Sequence, residues 1–168
     1  MHIVEIVNFI VNAKRKTYAS GGNQIKKVVG QDYLKSFSYK ESPYEYRDEY
    51  YGNVIDMGRE IVFYNGYPIW GMCYYGGVNK EYKNYSEKIF DFLKQSLSLV
   101  TVNLPIRGPQ YFTNQIYVYS NKCYGDLLNF HGKEMISLFN SDKYIYNKRY
   151  FGGLIGDDKL PEFFIEIE

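Results

Sequence analysis

Cysteine, alanine, histidine and tryptophan are all scarce in this chain of 168 residues, which has two, two, two and one of them. Cys73 and Cys123 stand too far apart in sequence for a metal pair and are too few for a disulfide framework. With only His2 and His131 beside them, no metal site is expected, and neither H-E-x-x-H nor C-x-x-C occurs. No cofactor is expected either: there is no G-x-x-x-x-G-K-[ST] loop, and the glycine pairs read as turns, not as a dinucleotide fingerprint. The G-x-S-x-G elbow is also missing, which disfavours a serine or cysteine hydrolase but leaves a carboxylate-and-tyrosine site open. No apolar run reaches the roughly 18 residues of a membrane span. The N-terminal stretch is broken by Glu5 and Asn8 and lacks a basic leader, so a cytoplasmic protein with no membrane partner is expected. Charge of one sign is lacking too: 20 Lys and Arg face 19 Asp and Glu, a net charge of +1, which argues against a surface built wholly for polyanions.

What the chain has in excess is tyrosine, 20 residues beside 11 Phe, and ten of them fall between Tyr44 and Tyr85. Together with the near absence of alanine, the count itself fits AT-rich codon usage. The positions do not follow from that. Compared with itself, the chain shows a recurring frame. Tyr44, Tyr46, Tyr51 and Gly52 fall on Tyr117, Tyr119, Tyr124 and Gly125 at a constant offset. Gly58 and Glu60 then match Gly132 and Glu134, and Gly76-Gly77 match Gly152-Gly153.

Each copy reads as three short strands. Tyr44, Tyr46, Asp48 and Tyr50 alternate on one face, and Asn65-Gly66 between two apolar runs signals a type I′ hairpin. Asn140-Ser141-Asp142 takes the same place in the second copy. Helices are expected before both meanders: Ile3, Ile6, Val7 and Ile10 recur at helical spacing. Ile89, Leu93, Leu97 and Val100 do the same behind Ser86 as a candidate N-cap. The expected architecture is an α+β single domain over residues 1–168. It is an internal duplication of a helix plus three-stranded antiparallel meander, pseudo-twofold, with a largely antiparallel sheet and helices on one face. Repeat one covers about 3–77 and repeat two about 86–153, with a C-terminal edge segment at 154–168.

Glu60 and Glu134 are the sharpest candidate residues, because each shares a strand face with apolar neighbours and a carboxylate there needs a partner or a role. They either meet as acid/base groups or ligand acceptors, or sit at strand ends bonded to a turn amide or tyrosine hydroxyl. Arg107, in P-I-R-G-P, is held in a stiff loop, ready to clamp an anion or to pair with Asp126, Glu134 or another local acid. Trp70 either caps an apolar pocket or belongs to the core. The basic stretch Lys14-Arg15-Lys16 with Lys26-Lys27 has no acid between Val7 and Gln31. It reads as a helix C-terminus running into a loop at Gly21-Gly22, or as a phosphate contact. No helix-turn-helix pair is present, which argues against nucleic-acid binding by this chain alone.

Several motifs in order carry a resemblance: Lys16-Thr17-Tyr18-Ala19, Y-R-D-E-Y-Y-G, G-R-E-I-V, P-I-W-G-M-C-Y-Y-G, P-I-R-G-P and the closing Y-F-G-G. The chain resembles a bacterial domain family of unknown function often found C-terminal to an XRE-type helix-turn-helix in transcriptional regulators. It departs from the family pattern W-x-M-N-Y at Cys73 and lacks the helix-turn-helix. The resemblance implies a sensor or effector module. The residues point the same way, to a non-enzymatic module binding a small molecule or protein partner in an aromatic-lined cleft between the repeats. Tyr46, Tyr51, Trp70, Tyr119 and Tyr124 would wall the cleft, and Glu60, Arg107 and Glu134 would supply its polar groups. The rival is a small enzyme with Glu60 or Glu134 as general acid/base and a tyrosine hydroxyl as donor. A self-associating module, such as a homodimer, is a third reading.

Overall fold

The computed structural model describes residues 3–20 and 25–156. Helix α1 (Ile3–Lys16) forms where the apolar spacing predicts it and buries Ile6, Phe9, Ile10 and Ala13. Glu5 in its first turn and Lys14, Arg15 and Lys16 in its last complement the helix dipole. The helix stops at Thr17, whose hydroxyl donates back to the Ala13 carbonyl at 2.8 Å, and a short 3-10 turn follows at Tyr18–Ser20. Helix α2 (Ser86–Ser98) buries Ile89, Phe92, Leu93 and Leu97. Ser86 is its first helical residue and not its cap, because a 3-10 turn at Lys80–Tyr85 runs straight into it.

Among the described residues nine strands make one sheet: β1 (Val28–Val29), β2 (Lys35–Glu41), β3 (Tyr44–Gly52), β4 (Ile55–Tyr64), β5 (Tyr67–Val78), β6 (Tyr111–Thr113), β7 (Tyr117–Gly125), β8 (Asn129–Leu138) and β9 (Tyr144–Leu154). Their order is β1-β2-β3-β4-β5-β9-β8-β7-β6, and every pairing is antiparallel. The β4–β5 turn has φ of 49° at Asn65 and 85° at Gly66, the positive pair a type I′ turn requires.

This sheet overturns the expected architecture. The molecule is not a helix plus three-stranded meander made twice; it is one sheet-dominated fold. Five strands precede α2 and four follow it, and β5 bonds directly to β9 so that no seam divides the sheet. The strands that spoil the expected unit are β1, β2 and β6, which lie between the expected helices and their meanders. An edge strand expected around Phe163–Ile167 and the loop at Gly21-Gly22 lie outside the described residues.

One face of the sheet carries both helices. Ile6, Phe9, Ile10 and Ala13 of α1 pack on Tyr46, Val62, Trp70 and Met72. Ile89, Phe92, Leu93 and Leu97 of α2 pack on Tyr119, Ile136 and Tyr146. Each such large side chain, taken wholly out of water, contributes about 1.5–3 kcal/mol. Between the two apolar patches the inner face turns polar.

Candidate functional site

Alternation along the strands puts charge where the helices do not reach. Asp48 follows Tyr46 on the inner row of β3, and register sets Asp48 beside Glu60 of β4. Gly58, two residues before Glu60, lies opposite Tyr74 of β5. A Cβ at Gly58 would sit 2.6 Å from the Tyr74 hydroxyl, so glycine there makes room for the phenol. Tyr74 uses that room to donate a 2.6 Å hydrogen bond to Asp48. Farther along, Lys148 of β9 pairs with Asp56 of β4 at 2.6 Å and lies over the Tyr74 ring.

Arg107 ties the face together. It takes φ of 66°, an uncommon conformation for a non-glycine residue, in the loop between α2 and β6. Asn121 fixes that loop by donating to the Gly108 carbonyl at 3.1 Å. The guanidinium grips Glu134 of β8 in bidentate fashion, Nε at 3.1 Å and a terminal nitrogen at 2.5 Å. Its other terminal nitrogen is 3.6 Å from Glu60. Tyr119 and Tyr146 also donate to Glu134, at 2.9 and 2.7 Å. Although burial pushes Glu134 up, the charge and hydrogen bonds of Arg107 hold its carboxyl below the ordinary range. Burial and the Glu134 charge together raise the Tyr119 and Tyr146 hydroxyls, which therefore stay protonated as donors.

The Glu60 side of the face is less complete. Lys14 of α1 lies 2.9 Å from Glu60, both side chains being buried. Yet neither the Lys14 amine nor the nearer Glu60 oxygen has a well-aligned hydrogen bond, so charge alone holds the pair. Asp48 is 4% exposed, and burial followed by the Glu60 charge raises its carboxyl from an ordinary 3.8 to about 7. These groups open onto a cavity of about 190 Å³ whose lining includes Lys14, Asp48, Glu60, Tyr74, Arg107 and Lys148. Lys27, Lys35 and Lys94 stand among its further lining residues. Lys35 is held by two neutral oxygens, the Gly52 carbonyl and the Asn53 side chain, whereas Lys94 pairs with Asp91.

Of the residues singled out in the sequence, Tyr46, Glu60 and Arg107 line this cavity. Glu134 and Tyr119 stand behind Arg107 as its support. Trp70 is fully buried, donates to the Leu127 carbonyl at 3.0 Å and stacks on Phe130. Tyr51 and Tyr124 are not brought to this site. They lie on the opposite face of the sheet, 44% and 57% exposed, where Tyr51 donates to Asp32 and Tyr124 stacks on His131. Sequence reasoning missed Asp48, Lys14, Tyr74 and Lys148. The Asp48 signal was present, a carboxylate inside an inward row of tyrosines.

The basic stretch is largely spent inside the fold: Lys14 on Glu60, Arg15 on the Val100 carbonyl and Lys16 on the Tyr39 hydroxyl. Among the described residues no group of three or more His, Cys, Asp or Glu side chains is placed to hold a metal ion. No described helix is long and apolar enough to cross a membrane.

An antiparallel sheet with a charged cavity under its inner face is thus the class of protein the geometry defines. Residues 48–155 match the model of the "Domain of unknown function (DUF5680)" family, and the chain belongs to that family. No curated protein and no solved structure matches it.

Proposed function

We propose that the chain is a cytoplasmic binding or sensor module that takes a small zwitterionic molecule in the cavity under the sheet. One observation carries this reading: at the cavity the buried Lys14 amine and a Glu60 oxygen, 2.9 Å apart, are held by charge with no well-aligned hydrogen bond. Folded proteins usually give buried charged groups aligned hydrogen bonds as well as an opposite charge, so the pair has hydrogen-bonding capacity to spare for a ligand. A ligand with both an acceptor for Lys14 and a donor for Glu60 or Asp48 satisfies both signs of charge. Lys27 and Lys35 at the cavity favour an anionic group on the same molecule. The resemblance to a bacterial family often found C-terminal to an XRE-type helix-turn-helix, a pair this sequence does not contain, fits a sensing role.

A thermal-shift panel of zwitterions, with amines and carboxylates of matched size, tests it. A ligand at 100 times its dissociation constant adds about 2.7 kcal/mol, a rise of roughly 5–11 °C for a chain of this size. The rise is expected for zwitterions and is lost in Asp48→Asn and Glu60→Gln. A panel in which only single-charge compounds act, or none does, removes the reading.

A second reading rests on Asp48 itself. Its carboxyl, raised to about 7 and hydrogen-bonded by Tyr74, suits a general acid/base at neutral pH better than Glu134, which Arg107 holds ionised. An enzyme loses turnover but keeps binding in Asp48→Asn, whereas a binder loses affinity.

A further inference from the structure

The outer face of the sheet, away from both helices and the cavity, carries two neighbouring rungs of side chains set by strand register. Tyr75, Arg149, Lys133 and Lys122 lie side by side across β5, β9, β8 and β7. Phe151, His131 and Tyr124 form the next rung across β9, β8 and β7. All seven are exposed, with Tyr75 at 63% and Phe151 at 64%. Three cations on adjacent strands repel one another, an arrangement that destabilises a sheet unless an anion answers it. Among the described residues no acid pairs with them. On this face Glu45 and Glu49 of β3 are taken by Arg47 and Lys40 and by Arg59, and Asp32 accepts from Tyr51.

We propose that this face binds single-stranded nucleic acid, with backbone phosphates along the Lys122-Lys133-Arg149 row and bases stacked on Phe151, Tyr75 and Tyr124. Strands lie about 4.8 Å apart, so the three cations span about 10 Å, suited to a short run of phosphates. Exposed rings beside cations on an open sheet are the two parts a sequence-tolerant single-strand platform needs. A duplex keeps its bases stacked and offers them to no ring. A second copy of the chain fits less well, since face-to-face packing brings cation rows together.

Fluorescence anisotropy with labelled oligo-U and oligo-dT dodecamers, and a duplex of equal length, tests the proposal. Saturable single-strand binding is expected at about 50 mM salt, falling about 20-fold by 200 mM, since three cations give a log–log slope near −2. Lys122→Ser with Lys133→Ser brings the slope to about −0.7. Phe151→Ala and Tyr75→Ala each weaken binding about tenfold with the thermal midpoint unchanged. The relative affinity for oligo-U and oligo-dT tells RNA from DNA. Absence of saturable single-strand binding at low salt overturns the proposal. So does a duplex bound as tightly, or aromatic variants that bind like the parent. A concentration-dependent dimer abolished by Phe151→Ala instead assigns the face to self-association and also overturns it.

Discussion

Two carboxylate clusters share the inner face of the sheet and differ in how far they are satisfied. Around Glu134 every demand is met: a bidentate guanidinium, two tyrosine donors and full burial. Around Glu60 and Asp48 two carboxylates share their partners, Asp48 taking Tyr74 while Lys14 and Arg107 reach Glu60 without a well-aligned hydrogen bond, and the groups border a cavity. Proteins complete their polar networks where the network serves the fold, and an incomplete one is costly to keep. The Glu134 cluster is therefore read as an anchor and the Glu60–Asp48 cluster as the part held open for a partner.

The largest test of that contrast is Arg107→Met, which strips the cation from both clusters and leaves buried carboxylates uncompensated. About 3–5 kcal/mol of stability should go, seen in the urea midpoint. A loss under 1 kcal/mol would mean that Arg107 is not the tie between them. Next comes Glu134→Gln, expected to cost about 1.5–3 kcal/mol, the value of hydrogen bonds to a charged group. Glu60→Gln should cost clearly less, and equal losses would erase the distinction.

The pH dependence sharpens it further, because the two clusters carry opposite signs. Folded Asp48 holds its proton up to about 7, whereas the unfolded chain releases it near 3.8. Stability from this group is complete below the unfolded value and is lost as pH rises toward 7, by at most about 1.4 kcal/mol per pH unit. Glu134, held below its ordinary value, contributes stability above the unfolded value that is lost as pH falls through the folded one. Asp48→Asn should remove the decline between pH 5 and 7 in thermal midpoints and leave the acid limb in place. An unchanged profile in that variant would show Asp48 ionised throughout. The smallest effect belongs to Tyr51→Ser and Tyr124→Ser, within about 0.5 kcal/mol and without influence on cavity ligands.

Parity explains much of what the sequence disclosed and withheld. Tyr46 and Tyr51 are five residues apart on one strand, as are Tyr119 and Tyr124, and an odd spacing sends side chains to opposite faces. Read strictly, the alternation that placed Tyr44, Tyr46, Asp48 and Tyr50 together already removed Tyr51 and Tyr124 from the cleft. Glu60 and Glu134 were legible because charge among apolar neighbours stands out, and Arg107 because prolines and glycine stiffen the loop that holds it. Lys14 was not: at a helix C-terminus a lysine already has a sufficient local reason. Strand β2, K-S-F-S-Y-K-E, is polar on one face and lies between glycines and a proline, so no strand was expected there. Strand β6 has three residues, too few for any periodicity. The continuous sheet depends on the β5–β9 pairing, a contact far apart in sequence that no local pattern announces.

Trp70 gives the chain a built-in optical probe. It is the sole tryptophan, sealed in the core, with the Lys14 amine 5.7 Å from its ring centre. Whatever draws Lys14 away from Glu60 changes the field across the indole and shifts its emission. Occupation of the cavity can thus be followed by colour, with no label and no assumption about what the occupant is.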